Sequence, residues 1–264
     1  MKIGFIGLGN MASAIIDGIL KSGATDANNI FGSDSFEGAL TKAKERFGIQ
    51  ICDSNETVAK AVDVLFLAVK PQFLDGVLAE IRGAVTGDKL VICMAAGKTL
   101  SWLEERFMAG ARVVRIMPNT SAIVGESCTA VCQGTAATQS DMEVAEQLCQ
   151  SFGSTYVVTE NLMDVFGAIG GASPAFAFLY MEALADGAVA NGMPRQMAYE
   201  IAAQATMGAA KLMKESKKHP GELKDMVCSP GGTTIEGVSA LEKNGLRAGV
   251  IEAIRACVEK SRKL

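Results

Sequence analysis

Lys2-Ile3-Gly4-Phe5-Ile6-Gly7-Leu8-Gly9-Asn10-Met11-Ala12 is the stretch from which the rest of the chain is read. An apolar run of β character stops at Gly7, and an amphipathic segment at residues 11–21 begins just beyond it. Between them lies a GxGxxA spacing on Gly7, Gly9 and Ala12. In a strand–turn–helix setting the first glycine permits the tight turn and the second lets a pyrophosphate approach the backbone. A small third residue lets helix and strand pack closely. Free N–H groups at the start of the helix would then face the phosphates. Ile6, Leu8, Asn10 and Met11 complete this loop and are expected to touch a dinucleotide with it.

Asp34 follows Ala12 by twenty-two residues. An acid at the end of a second strand accepts hydrogen bonds from the adenosine ribose, which favours NAD and repels a 2′-phosphate. Ser33 and Ser35 flank it and would donate to a phosphate if Asp34 turned outward; no arginine stands beside it. The plainer alternative is a surface turn, Gly32-Ser33-Asp34-Ser35, with no ligand.

Outward from this turn, the chain alternates short β-rich runs with helical ones. Strands are expected at residues 2–8, 29–33, 49–52, 62–69, 89–94, 112–117, 128–132 and 154–158, and helices at 11–21, 36–47, 73–82 and 140–152. Val64-Leu65-Phe66-Leu67 is apolar throughout, as a strand covered on both faces must be. The pattern is that of an α/β, doubly wound, mostly parallel, Rossmann-type sheet. After Val158 only helices are expected. Ser173-Pro174 reads as an N-cap followed by proline at the first helical position, and Gly192 closes that helix. Further helices are expected at 194–215, 220–227, 233–243 and 246–262. The division is therefore 1–158 for dinucleotide binding and 159–264 for a helical domain of dimerisation and substrate binding. Its small, apolar helices predict an obligate dimer interface with an active site drawn from both chains.

Composition narrows the classes further. With 264 residues, 49% hydrophobic and 20% charged, the chain has ample length for a core. Lys and Arg number 25 against 29 acids, a net charge of −4, which predicts no binding of nucleic acid or anionic lipid by bulk charge. The seven cysteines form no CxxC and no zinc spacing, so no metal is expected. Their odd number and apolar settings suit buried thiols in a reducing compartment. The ordered pattern starts at once, leaving no room for a signal peptide, and no unbroken apolar run reaches the ~18 residues of a membrane span. A cytoplasmic protein without membrane contact is the expectation.

Three more segments fall at carboxyl ends of strands, where open α/β sheets bind ligands. These are Ala68-Val69-Lys70-Pro71, Ala95-Ala96-Gly97 and Met117-Pro118-Asn119. The helical half carries Ser229-Pro230-Gly231-Gly232-Thr233-Thr234 between two helices. Ser229 or Thr233 as a plain N-cap would account for a hydroxyl, but not for two glycines and paired threonines, which suit a small anion. The single histidine, His219, has charged neighbours and is expected to be solvated. A carbonyl reductase wants a strong general acid, whereas an iminium is already electrophilic and a hydroxyl suffices to orient its nitrogen. Lys70 and Lys98 stay open as acids.

Together these segments resemble the pyrroline-5-carboxylate reductase family, over nearly the whole chain. Ser229–Thr234 is the most specific part. The resemblance implies hydride transfer from NAD(P)H to the C=N bond of 1-pyrroline-5-carboxylate, giving L-proline in the last step of proline biosynthesis. NADPH is the usual cofactor and NADH the alternative, and Asp34 departs from the family pattern toward the second. The resemblance places Ser229, Gly231, Gly232 and Thr233 on the substrate carboxylate, with Pro118 and Asn119 nearby. It places Thr234 on the ring nitrogen as the catalytic group. Asn55 is implied at the adenosine ribose, alongside Ser33 and Asp34. Gly7, Gly9, Ala68, Val69, Lys70, Pro71, Ala95, Ala96 and Gly97 line the rest of the cofactor. A homodimer, sometimes built into a decamer, is implied as well. Two other classes are kept beside it. A β-hydroxyacid dehydrogenase shares the layout but needs a lysine in its long helix, and none occurs between Ser173 and Lys211. A non-catalytic nucleotide sensor would have no use for the Ser229–Thr234 cradle.

Overall fold

The computed structural model describes residues 1–263. Contacts divide the chain into two compact units, residues 1–172 together with 257–263, and residues 173–256. The sequence reading placed the functional boundary at Val158; residues 159–172 are grouped with the sheet by contact.

In the first unit, strands β1 (Ile3–Ile6), β2 (Ile30–Ser33), β3 (Gln50–Ile51), β4 (Val64–Leu67), β5 (Leu90–Cys93), β6 (Arg112–Met117), β7 (Ser127–Gln133) and β8 (Gly153–Val157) form one sheet, ordered β3-β2-β1-β4-β5-β6-β7-β8. Helices α1 (Asn10–Ser22), α2 (Glu37–Phe47), α3 (Asn55–Ala61), α4 (Pro71–Ile81), α5 (Leu100–Glu104), α6 (Gln139–Gln150) and α7 (Met163–Phe166) accompany it. The expected doubly wound, mostly parallel α/β sheet is found; only β6 and β7 pair antiparallel. Nine residues join them, fewer than the dozen or so that a parallel crossover requires.

The pleat explains why β4 is apolar throughout. Val64 and Phe66 join one core cluster with Ile15, Ile16 and Ile19 of α1 and Leu148 of α6. Leu65 and Leu67 join the other with Leu74, Leu78 and Ile81 of α4. Phe5 and Phe66 stack across neighbouring strands, their centroids 4.8 Å apart and planes 7° from parallel. Register then sets the functional edge. Ile6 pairs with both Ser33 and Leu67, and Leu67 with Cys93, so β1, β2, β4 and β5 end at one level. The strand order reverses between β1 and β4, the crevice at which open α/β sheets take ligands.

The second unit is helical: α8 (Ser173–Ala190), α9 (Arg195–Ser216), α10 (Pro220–Val227), α11 (Thr233–Lys243) and α12 (Leu246–Ser261), whose last turns count with the first unit. α8 starts differently from expectation. A π-helical turn, Gly167–Ala172, runs straight into it, so Ser173 continues a helix and caps nothing. Pro174 has no N–H to give Gly170, four residues earlier, and the Gly170 carbonyl accepts instead from Asn119 Nδ2 at 2.8 Å. The continuous helical run Glu160–Ala190 contains an eighteen-residue window of mean hydropathy 1.5 and is also long and apolar enough by composition to cross a membrane. Counting only unbroken apolar residues had missed it.

Candidate functional site

The glycine turn is built as its spacing requires. Gly7 sits at φ +93°, a conformation that side chains rarely adopt, and a Cβ there would come within 2.8 Å of the Ala68 carbonyl oxygen. Its N–H donates to the Ser33 carbonyl at 2.9 Å, tying β1 to β2. Gly9 is the N-cap of α1, contributes no capping side chain, and has open space where a Cβ would stand. The first amides of α1 therefore face an open cradle, and Ala12 packs fully buried behind it. Such a helix start suits a pyrophosphate, which needs close backbone approach and N–H donors.

Asp34 does not turn outward. Its Oδ2 accepts from Leu8 N–H at 2.7 Å and its Oδ1 from Phe36 N–H at 2.9 Å. The carboxylate is thus pinned against the glycine turn. Ser33 is buried, and its hydroxyl donates to Asn55 Oδ1 at 2.7 Å. Asn55 in turn donates from Nδ2 to Glu80 Oε2 at 2.6 Å. Asn55 begins α3, whose N-cap is Ser54, accepting from Thr57 N–H. Gly7, Asp34, Asn55, Val69, Phe73 and Glu80 are among the residues around a cleft of about 310 Å³ beside the turn.

Other strand ends contribute unequally. Ala68 N–H donates to the Ile6 carbonyl, which holds the β4 exit against the glycine turn. Lys70 is exposed at the N-cap of α4, and Pro71 occupies the first helical position. Ala95 is buried, Ala96 exposed, and Gly97 turns the chain at φ +71°. The ammonium of Lys98 lies 4.5 Å from the centre of the Trp102 ring, a cation–π pairing that occupies it. Asn119 is fully committed: besides Gly170, its Oδ1 accepts from Ser121 and Cys128 N–H groups. Placed by sequence among substrate contacts, it is buried with its amide bonded to loop and helix backbone; Pro118 next to it is half-buried.

In the helical unit, the Ser229–Thr234 loop leaves its hydroxyls free. Gly231, at φ +66°, makes the turn, and Gly232 N–H closes it onto the Ser229 carbonyl at 3.0 Å. The N-cap of α11 is Gly232, with no side-chain bond, so neither Ser229 nor Thr233 serves as the ordinary cap. Ser229, Thr233 and Thr234 are exposed, and α11 opens with Thr233 and Thr234 in its first turn. The loop presents hydroxyls and uncapped amides together, a donor set suited to a carboxylate. His219 is engaged elsewhere, where its Nδ1 accepts from Gly221 N–H and caps α10.

The thiols lie outside this chemistry. Burial pushes the Cys93 thiol up to about 11 and raises Cys149 further still. Among the described residues no group of three His, Cys, Asp or Glu side chains is placed to hold a metal ion.

Comparison with known proteins joins the two halves of this picture. Residues 2–97 match the family described as NADP oxidoreductase, coenzyme F420-dependent, and residues 160–264 the one described as pyrroline-5-carboxylate reductase dimerisation. The chain is 44% identical over 263 residues to pyrroline-5-carboxylate reductase of Methanosarcina acetivorans, covering 100% of this chain and 97% of that one. It is 43% identical to the Escherichia coli enzyme, with 100% and 98% covered. The chain belongs to the pyrroline-5-carboxylate reductase family. Two solved structures agree. The Plasmodium falciparum pyrroline carboxylate reductase with NADP bound superposes at a TM-score of 0.90, with 32% identity and 100% and 97% coverage. The Coxiella burnetii pyrroline-5-carboxylate reductase gives 0.93, at 32% identity and 99% and 97% coverage. The family read from the motifs is therefore the right one. Glu80 is what the sequence reading missed. It sits inside an ordinary amphipathic helix, and only folding brings it to Asn55.

Proposed function

We propose that this chain reduces the C=N bond of 1-pyrroline-5-carboxylate to give L-proline, with NAD(P)H as the reductant. The observation that carries the reading is the Ser229–Thr234 loop, where glycine takes the cap and three hydroxyls stay free. Bound NAD(P)H supplies the hydride. The glycine turn fits that cofactor, since Gly7 and Gly9 leave the backbone bare where a pyrophosphate must approach. Gly7, Leu8, Gly9, Asn10, Met11 and Ala12 would hold the phosphates. Asp34 and Asn55 would face the adenosine ribose. The Ala68–Pro71 and Ala95–Gly97 turns, with their small side chains, would border the nicotinamide end.

The Ser229 and Thr233 hydroxyls and the Gly231 and Thr233 N–H groups would hold the substrate carboxylate, while Gly232, whose own N–H closes onto the Ser229 carbonyl, shapes the turn that presents them. The Thr234 oxygen then accepts from the N–H of the iminium, and once hydride has reached the carbon and the nitrogen regains its lone pair, the Thr234 hydroxyl can donate to the amine. This assignment draws support from the rival acids: His219 caps a helix and Lys98 rests on Trp102. A hydroxyl is adequate because the iminium needs orientation more than protonation. Functionally, residues 1–158 serve the cofactor and 159–264 the substrate and assembly.

The helical segment forms a homodimer, and the apolar run Glu160–Ala190 is assigned to that assembly rather than to lipid. Cytoplasmic residence fits this assignment. The test is oxidation of NADPH and of NADH by purified protein with pyrroline-5-carboxylate, with short oxo acids, and without substrate. Turnover confined to the imine supports the reading, and turnover confined to oxo acids or absent throughout overturns it. Light scattering of the same sample separates a dimer from a decamer.

A further inference from the structure

We infer that the cleft beside the glycine turn selects the dinucleotide without a 2′-phosphate, NADH over NADPH, and that Asp34 and Glu80 make the choice. The inference rests on the cleft being the cofactor site proposed above. Three observations carry it. First, Asp34 cannot swing aside cheaply, because both of its oxygens accept backbone N–H groups, from Leu8 and Phe36. Turning it out would strip the glycine turn of an acceptor.

Second, the neutral donors that would welcome a phosphate are largely engaged, with one N–H of Asn55 left over. The Ser33 hydroxyl is buried on Asn55, and Asn55 spends an amide N–H on Glu80. Among the described residues, Ser35 alone remains as a hydroxyl at the cleft.

Third, the charge is one-sided. Asp34 and Glu80 both border the cleft, and no Lys or Arg does so among the described residues. The nearby cations of α2, Lys42 and Arg46, line a different hollow with Asp17 and Glu45, and Arg46 lies 3.7 Å from Asp17. A phosphate monoester carries a charge of about −1.5 to −2 at neutral pH. Rossmann sites that accept the 2′-phosphate answer it with an arginine, whereas sites for the bare ribose offer an acid. Here the phosphate would meet two carboxylates and no counter-charge. A ribose hydroxyl, by contrast, finds in Asp34 a fixed acceptor.

The test is calorimetric titration of the full chain with NADH and with NADPH, without substrate. NADH is expected to bind at least about tenfold more tightly, a gap of roughly 1.4 kcal/mol. Glu80→Gln keeps an acceptor for Asn55 while removing the charge, and should narrow the gap several-fold. Asp34→Asn should narrow it further. Because the discrimination is electrostatic, raising the salt concentration should also shrink it. Equal or tighter binding of NADPH by the unmodified chain overturns the inference, as does a gap that neither substitution moves. Failure of both dinucleotides to bind would overturn the cofactor reading of the cleft, and this choice with it.

Discussion

The two units treat their apolar side chains in opposite ways. In β4 all four residues are buried, and each face of the sheet carries its own cluster of Ile, Leu, Val and Phe. In α8, eighteen residues long and more apolar than most helices of the first unit, only Ala185 is buried. Phe178 and Leu179 are 65% and 67% exposed. The first unit buries its central strands and the inner faces of its helices, leaving apolar side chains such as Phe36 and Val124 exposed only at scattered positions. The second does not cover its helices in this way, and a stretch of exposed apolar surface on this scale marks an interaction face. The contrast assigns folding to one half and assembly to the other.

The sharpest way to break that contrast is a charge on the exposed face of α8. Leu179→Asp would leave a carboxylate unpaired in the interface, at a cost of about 3–5 kcal/mol. Dimerisation should weaken by a factor on the order of 10² or more, read by light scattering at micromolar concentration. Secondary structure should stay intact by circular dichroism. A variant that stays dimeric would remove α8 from the assembly.

Next in size is the free-hydroxyl loop. Thr234→Ala should lower kcat by a factor on the order of 10² or less, with the Kd for dinucleotide unchanged. Ser229→Ala should mainly raise the KM for the imino acid. Full activity in Thr234→Ala would take that hydroxyl out of the reaction.

A smaller effect probes the Asn119 bond at the start of the long helix. Asn119→Ala leaves the Gly170 carbonyl and two loop N–H groups without their partner, a loss of about 1–3 kcal/mol. A lowered melting temperature with an unaltered KM would mark Asn119 as structural. A raised KM at constant stability would return it to the substrate.

An effect that vanishes at neutral pH comes last, a pH dependence. The Cys93 thiol ordinarily titrates near 9 and is held at about 11 by burial, so the unfolded chain releases its proton first. Stability from this source is whole below pH 9 and drains away as the pH climbs toward 11, by at most about 1.4 kcal/mol per pH unit. Urea titrations of Cys93→Ala should show a shallower decline across that window than the parent chain.

Much of this architecture was legible in the residues. All eight strands were placed, because short apolar runs between turns announce themselves without tertiary information. The glycine turn was equally plain, since φ and close approach leave few residue choices at Gly7. The helices that escaped, α3, α5 and α7, have seven, five and four residues, too few to display a period. Ser54 with Thr57 was the available sign of the first. The reversal of β7 was foreshadowed by its short connection from β6. What could not be read was anything depending on partners distant in the chain. The inward turn of Asp34 onto Leu8 and the charge of Glu80 beside Asn55 both arise only when strand ends meet. The π-turn likewise depends on Asn119, fifty-one residues upstream of Gly170.

The closing turns of α12 have a consequence for how the protein is made. Ser261 donates to Asp164 at 2.6 Å, and residues 257–263 count among the contacts of the first unit. A ribosome adding about 5–20 residues per second needs several seconds to deliver the intervening helices. During that interval the nascent sheet waits for its last piece, while the apolar faces of α8 and α9 emerge before the segment that completes the first unit. Chaperone occupancy should therefore rise as α8 and α9 are exposed and fall only after release, when residues 257–263 have docked on the first unit and the chain has dimerised.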